Sequence, residues 1–456
     1  MTGPRTALVT IDLVEFKKVE RNAEDFVFLS PEHWFHLEKE LAGLVSIHRS
    51  RDGSQIIFQA GSRVGTAFAR GVRVQVRPRL AVHLFLQLLH YVLSGQMCRK
   101  PPRALLDVSR GVGFEDALAF LLAHEVREIQ RIGVSRKYEE RREPLQALRG
   151  RPLWERNFPW DPDHASRIVC RHHWLTYDNP DNRLLLAGLR KAATLVDSRE
   201  IRGQIVNHLN TFSHLASEVS FTRADLMEEQ WSYTRLNEHY QCAHQLCRMF
   251  LAGLRPSSLF EGGDSLVPGV ALDMAMLFER FVGRFLGEAL GPHGFVLHTQ
   301  KSDNRALYDG EGGRYASVRP DFELWRAGRF EAVVDAKYKD YWSAQEKGRQ
   351  PTKKIRNEDL YQLFFYQQRL RHRHGLPALP PSFIASPLPD LEEREGRPVL
   401  PERYRTIIWK SEIGEAGCVR LILIPVTRYL ESLVTGKGVE RILLETASMI
   451  IDYKNG

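Results

Sequence analysis

The chain has 456 residues, 43% hydrophobic and 26% charged, a balance that belongs to folded globular proteins and excludes disordered and fibrous classes. That length exceeds one typical core, so two or three domains are expected. A formal charge of +8 and a pI near 9.2 suit a polyanionic partner, because clustered Lys and Arg gain affinity by releasing phosphate counterions, although a basic protein without such a partner has the same balance.

Five cysteines, Cys98, Cys170, Cys242, Cys247 and Cys418, are scattered and odd in number. This argues against a disulfide framework and for a reducing compartment. The opening segment MTGPRTALVTIDLVEF lacks the apolar core of a signal peptide. The longest apolar stretch, LAVHLFLQLLHYVL from Leu80 to Leu93, is short for a membrane span and carries His83, Gln87 and His90. It is expected to be a buried helix of a cytoplasmic protein that makes no use of a membrane.

Along the chain, ALVTIDLVEF, LVSIHRS, SQIIFQA and VRVQVRPRL alternate apolar and polar residues between Gly and Asp-Gly breaks, which predicts a β-rich module over residues 1–95. Residues 96–255 turn helical. GFEDALAFLLAHEVREI, DNRLLLAGLRKAATLV and HYQCAHQLCRMFLAGL each place apolar residues three and four apart. Between the first two lies RKYEERREPLQALRGRPLWERNFPWDPD, dense in Arg, which predicts a loop or extended arm: a solvated face, a DNA contact or a projection toward a partner. The Gly-, Pro- and Ser-rich stretch RPSSLFEGGDSLVPG, residues 255–269, reads as a junction. Residues 256–456 then run amphipathic helix (LDMAMLFERFVGRFLGEAL), paired strands, helix (NEDLYQLFFYQQRL) and strands SFIAS, RTIIWK and CVRLILIPV. The fold class expected is multidomain α/β: a β-rich and helical N-terminal region followed by an α/β domain.

The candidate chemistry sits in RPDFELWRAGRFEAVVDAKYKDYW, residues 319–342. Arg326-Ala-Gly-Arg329 is a natural hairpin connection between DFELW and RFEAVVDAKYK. Alternation puts Val333, Asp335, Lys337 and Lys339 on one face, and the hairpin brings Asp321 near them, from the neighbouring strand or the turn before it. Two converging carboxylates repel unless a divalent cation neutralises them, and hard oxygen ligands suit Mg²⁺. A nearby lysine can orient or deprotonate a water, or stabilise charge developing on a phosphate. Glu279, at the border of the first helix's apolar stripe, is a candidate third acid. Asp359, Gln362 and Tyr366 share a face of the second helix. Lys339 and Asp340 read as surface charges ending a strand, and Asp359 as an acid of a favourable first turn.

Pro320-Asp321 followed by Asp335-Ala-Lys337 on an apolar strand resembles the PD-(D/E)xK nuclease signature, and Gln362-Leu-Phe-Phe-Tyr366 resembles the QxxxY helix of its RecB-like members. The fuller resemblance is to the McrC family, the nuclease subunits of McrBC and LlaJI-like modification-dependent restriction systems. SLFEGGDSLVPGVALDMAMLFERFV, RPDFELW, VVDAKYK and DLYQLFFY carry it, with fainter echoes in RVGTAFARGVRVQVRPRL, ALRGRPLW and DNPDNRLLLAGLR. Arg79 in RPRL stands where many of these proteins have lysine, which keeps the charge.

That resemblance implies a C-terminal PD-(D/E)xK restriction-endonuclease-like domain. Asp321, Asp335 and Glu279 would be ligands of Mg²⁺, or of Mn²⁺ in its place, Lys337 the catalytic lysine, and Gln362 and Tyr366 supporting residues. It also implies an McrB-like AAA+ hexamer as partner. The partner would bind and hydrolyse GTP, and this chain, which would bind no nucleotide, would dock on it through its N-terminal half and stimulate it, while the substrate would be modified double-stranded DNA. Two other readings are a non-cleaving activator of an AAA+ GTPase and a stand-alone RecB-like repair nuclease. Cys170-Arg-His172-His173 and Cys242-Ala-His244-Gln-Leu-Cys247 lack the paired spacing of common zinc sites. Gly436-Lys437 lacks the remainder of a P-loop.

Overall fold

The computed structural model describes residues 9–94, 113–156, 167–222, 224–227, 231–252, 269–299, 303–308, 314–339, 341, 355–388, 404–410 and 416–452. The expected junction, apart from Gly269, lies outside the described residues, as do Cys98 and Asp340.

The N-terminal alternation becomes strands β1 (Val9–Val14), β2 (Lys18–Asn22), β3 (Val45–Arg49), β4 (Gln55–Ala60), β5 (Arg63–Ala69) and β6 (Val72–Arg77), with helix α1 (Pro31–Leu41) between β2 and β3. The β5–β6 hairpin turns on Arg70 and Gly71, both at positive φ (50° and 83°), the backbone that a tight two-residue connection demands. β1 runs parallel to β6, and Val72, Val74 and Val76 of β6 are fully buried, as alternation on a half-covered sheet requires. Ser30 caps α1 by accepting a hydrogen bond from His33 N, and Pro31 opens the helix, both favourable at a helix start.

A helical layer follows: α2 (Val82–Leu93), α3 (Phe114–Ile132), α4 (Pro180–Leu195), α5 (Arg199–Ser213) and α6 (Gln241–Leu251). The long apolar stretch is α2, with Leu84 to Tyr91 buried. Between α3 and α4 the arginine-rich segment forms strands rather than a loop: β7 (Lys137–Leu145) and β9 (Ile168–Thr176) pair antiparallel over nine residues each, and β8 (Arg151–Pro152) joins the far side of β9. Its root is held by a buried network. Tyr240 Oη accepts from Ser135 N at 2.7 Å and donates to Asn182 Oδ1 at 2.8 Å, while Asn179 and Asn182 both donate to Ser135 O. Beyond that root, Tyr138 is 72% exposed and Trp174 41%.

The C-terminal part contains β10 (Gly269–Asp273), α7 (Met274–Leu290), β11 (Phe295–Thr299), β12 (Asp303–Tyr308), β13 (Arg314–Val318), β14 (Phe322–Arg326), β15 (Arg329–Ala336), α8 (Asn357–His374), β16 (Ser382–Pro387), β17 (Tyr404–Lys410), β18 (Ala416–Ile424), α9 (Val426–Thr435) and α10 (Val439–Ile451). The main sheet has the order β11-β14-β15-β16-β18-β17, with β15, β16 and β18 parallel to one another. Alternate residues of β15 serve two cores: Val334 packs with Phe278, Phe281 and Phe285 of α7, and Val333 with Leu363 and Tyr366 of α8. β15 is therefore covered on both faces, which explains its apolar run. β10 belongs to neither core sheet of this part. It pairs with β5 and extends the N-terminal sheet to β1-β6-β5-β10, and its last residue, Asp273, caps α7 through Ala275 N.

α7 lies close enough on β14 that a Cβ added at Gly283 would stand 2.7 Å from Phe322 Cε1. Overpacking of this kind costs about 1–3 kcal/mol, against the roughly 1 kcal/mol that Ala gains over Gly inside a helix. Gly283→Ala should therefore lower the melting temperature. In a Phe322→Leu background, which empties that space, the same substitution should be neutral or stabilising; equal losses in both backgrounds would show that the contact is not what confines position 283.

Candidate active site

The β14–β15 hairpin fixes the geometry. Its two-residue turn, Ala327-Gly328, has φ of 49° and 75°, and its register pairs Phe322 with Val334. Asp321, immediately before β14, is thereby opposite the end of β15. Ala336 N donates to Asp321 Oδ2 at 2.7 Å, so the carboxylate closes the ladder where the strands part.

Asp335 is 1% exposed. Lys337 Nζ lies 2.7 Å from its Oδ2, an ion pair set off the hydrogen-bond direction, so that this oxygen has no aligned donor. The same ammonium donates to Gln362 Oε1 at 2.9 Å, Gln362 Nε2 donates to Tyr366 Oη at 2.8 Å, and Tyr366 Oη donates to Arg319 O at 3.3 Å. Gln362 and Tyr366 are one helical turn apart, hence on one face of α8. The relay thus starts at Asp335 and returns to the backbone two residues before Asp321.

Burial, followed by the charges of Asp335 and Glu279, pushes Asp321 up from an ordinary 3.8 to about 8. Burial also raises Asp335, against the opposing pull of Lys337. For Lys337, burial works against the ammonium, but Asp335, with Asp321 and Asp359, outweighs it and the pKa is raised. Two desolvated carboxyls in mutual repulsion, with no thiolate or imidazole in the relay, form a hard-oxygen donor set that fits Mg²⁺. Glu279 on α7 is near enough for its charge to act on Asp321. Even so, no three His, Cys, Asp or Glu side chains among the described residues are gathered closely enough to hold a metal ion. The structure therefore brings together Asp321, Asp335, Lys337, Gln362 and Tyr366, with Glu279 as an electrostatic neighbour.

Sequence reasoning left Lys339 on the surface and Asp359 as a solvated first-turn acid. Asp359 does open α8, but it is buried, and Lys339 Nζ donates to both its oxygens at 2.7 and 3.0 Å while Tyr341 Oη donates at 2.6 Å. Ser386 Oγ binds Lys339 O. This second brace fastens the segment after Lys337 to α8 and β16. The signal for it was present: Lys339 follows Lys337 at the strand period, and Asp359 precedes Gln362 by one helical turn. Elsewhere, Cys170 and His172 are buried, with His172 Nε2 3.0 Å from Glu143 Oε1. His244 is held neutral, its pKa lowered to about 4 by burial, between Tyr233 Oη and Asp181 O.

The family model described as "McrBC 5-methylcytosine restriction system component" matches residues 58–379. The chain belongs to this McrBC family. The McrBC match spans the helical layer, the β14–β15 hairpin and α8 together. Among solved structures, the fold resembles the refined half-complex from a tetradecameric assembly of Thermococcus gammatolerans McrB AAA+ hexamers with bound McrC, at 19% identity and a TM-score of 0.56, covering 94% of this chain and 99% of that one. The cryo-EM structure of the T. gammatolerans McrBC complex aligns at 22% identity over 62% of this chain and 88% of that one, with a TM-score of 0.44, too low to bear on the fold. No curated protein sequence matches the chain.

The raised Asp321 pKa has a definite sign in stability. The metal-free fold retains a proton that the unfolded chain loses above 3.8, so stability falls as pH rises from about 4 to about 8 and is flat above. In chelator, Asp321→Asn should raise the melting temperature by an amount that grows across that window. A gain independent of pH would contradict the shift.

Proposed function

We propose that this McrBC-family chain is an McrC-like endonuclease subunit, hydrolysing DNA phosphodiesters with Mg²⁺ while bound to an McrB-like AAA+ partner whose GTP hydrolysis it stimulates. The observation that carries the reading is the convergence of Asp321, Asp335 and Lys337 at the end of one hairpin, with Gln362 and Tyr366 closing the relay around them. A structural surface strand has no reason to desolvate two carboxylates there.

Asp321 and Asp335 are the oxygens that would hold the cation, with Glu279 as a further acid beside them. When bound, the cation supplies Lewis acidity to the phosphate and lowers the pKa of a water. Lys337 contributes fixed positive charge where the phosphate becomes more negative, and its ammonium is oriented by Gln362, which Tyr366 in turn orients. Such preorganised charge needs no rearrangement as the reaction proceeds. Ala336 N pins Asp321 so that its other oxygen is left for the cation.

The β7–β9 arm supports a protein partner. It projects exposed Tyr138, Trp174 and Leu148, with Arg141 and Arg149 stacked at 5.5 and 4.8 Å over Trp174, the aromatic and arginine composition of interface cores. The solved assembly of McrB hexamers with bound McrC supports an AAA+ ring as that partner. Free Cys170, Cys242, Cys247 and Cys418 support a reducing, cytoplasmic setting, and no helix among the described residues is long and apolar enough to cross a membrane.

Asp335→Ala and Lys337→Ala should each reduce Mg²⁺-dependent cleavage by the assembled complex at least 100-fold, a loss of about 3 kcal/mol or more in barrier terms. Partner GTP hydrolysis should stay near wild type. Nicking retained by Asp335→Ala would sink the assignment. Stimulated hydrolysis with no cleavage by the wild-type complex would favour the non-cleaving activator, and cleavage without partner or nucleotide would favour the stand-alone nuclease.

A further inference from the structure

At the seam between the N-terminal sheet and the nuclease sheet, one buried carboxyl gathers donors from two distant parts of the chain. Glu15, directly after β1, is 0% exposed. Its Oε1 accepts from Arg79 N at 2.7 Å and from Tyr338 Oη at 2.8 Å, and its Oε2 has no hydrogen-bond partner among the described residues. Tyr338 is the residue after Lys337. Burying a carboxylate with half its acceptor capacity unused costs stability rather than adding it, so packing alone does not account for an acid at position 15.

The chain's course past β15 shows what the contact can do. Lys337 N still binds Ala385 O, but Lys339 N turns back to Lys337 O, so the strand leaves the sheet at this point. Lys337 then reaches toward Asp335 and Gln362, while Tyr338 reaches the other way, its ring 5.6 Å from Phe278 and 6.0 Å from Phe16. Beneath Tyr338 and Lys339 lies a cavity of about 310 Å³, also lined by Phe16, Arg79, Leu88 and Phe278. The Tyr338 ring packs against the core beside this cavity, but ring packing does not by itself fix the direction of its hydroxyl. The directional bond that Tyr338 Oη donates to Glu15 does that, and Glu15 is itself braced on β6, its N donating to Arg77 O at 3.0 Å.

We propose that Glu15 is a positioning residue for the nuclease centre, setting the backbone at Lys337 through the Tyr338 hydroxyl. This makes the N-terminal module, and not only α8 and β16, a determinant of where the catalytic ammonium stands. The proposal rests on the nuclease reading above.

The test uses the full chain assembled with its AAA+ partner, GTP and Mg²⁺, reading single-turnover cleavage, KM for DNA, partner GTP hydrolysis and melting temperature. Tyr338→Phe keeps the ring and removes only the hydroxyl. It should slow cleavage at least tenfold with KM and GTP hydrolysis within twofold of wild type. Glu15→Ala should be at least as slow, Glu15→Gln, which keeps a carbonyl acceptor for both donors, should recover cleavage to within threefold, and the double Glu15→Ala, Tyr338→Phe should be no slower than Glu15→Ala alone, because that variant already breaks the bond to Tyr338. Wild-type cleavage by Tyr338→Phe, multiplying losses in the double variant, or a parallel fall in GTP hydrolysis would each overturn the proposal while leaving the nuclease reading intact. Absence of cleavage by the wild-type complex would overturn both.

Discussion

Two aspartate carboxyls are forced together at the mouth of the β14–β15 hairpin, and most of the surrounding architecture follows from their repulsion. Neither can be solvated fully, because β15 is covered by α7 on one face and α8 on the other. Left alone, the pair would hold a proton, as the raised pKa of Asp321 indicates. The fold counters this with one backbone N–H on Asp321 and one ammonium beside Asp335. Those two contacts do not satisfy four carboxylate oxygens, which leaves the donor capacity that a cation would take. The relay through Gln362 and Tyr366 gives the ammonium a second, oriented partner besides Asp335.

How far the sequence revealed this depends on the length scale of each cue. Alternation is a property of neighbouring residues, so Asp335 and Lys337 on one face, and the i,i+4 pair Gln362 and Tyr366, were legible without a structure. Asp321 was legible as a neighbour because the short turn Ala327-Gly328 pairs the two strands, but not its exact register, which a bulge between Leu324 and Trp325 shifts by one residue. The Asp359–Lys339–Tyr341 brace was not, since a first-turn acid and a strand-end lysine are solvated in most proteins, and only the approach of α8 to β15 desolvates them here. Glu15 was invisible for a stronger reason: its partner Tyr338 is 323 positions away, and no local pattern encodes a contact across a domain seam. The arm was anticipated as an extension but not as a sheet, because its charges alternate with too few apolar residues for strand periodicity to stand out; ion pairs such as Arg142 with Glu140 along one strand take the place of a buried face.

The seam also explains a feature of topology that looks wasteful in isolation. β10 comes from the C-terminal part, yet it completes the N-terminal sheet and hands the chain to α7 through Asp273, which receives Ser62 Oγ and Arg63 on one side and caps the helix on the other. α7 in turn supplies Phe278 to Tyr338 and presses Gly283 on Phe322. A displacement of the N-terminal sheet therefore reaches the hairpin by two routes, one through the helix behind Asp321 and one through Glu15 at the end of β15.

This arrangement has a consequence for where control can act. Asp321 and Lys337 are carried by opposite sides of the hairpin mouth. Under the Glu15 proposal, a small shift of Tyr338 would move the ammonium while Ala336 N keeps its hold on Asp321, changing the spacing of the two groups without unfolding either. Effective catalysis depends on sub-ångström placement of such charges. Under the proposed function, a partner docked on the arm and helical layer would act on a sheet that holds one side of the hairpin, which would make cleavage answer to the state of that partner, and the cavity beside Tyr338 would give the room for such a shift.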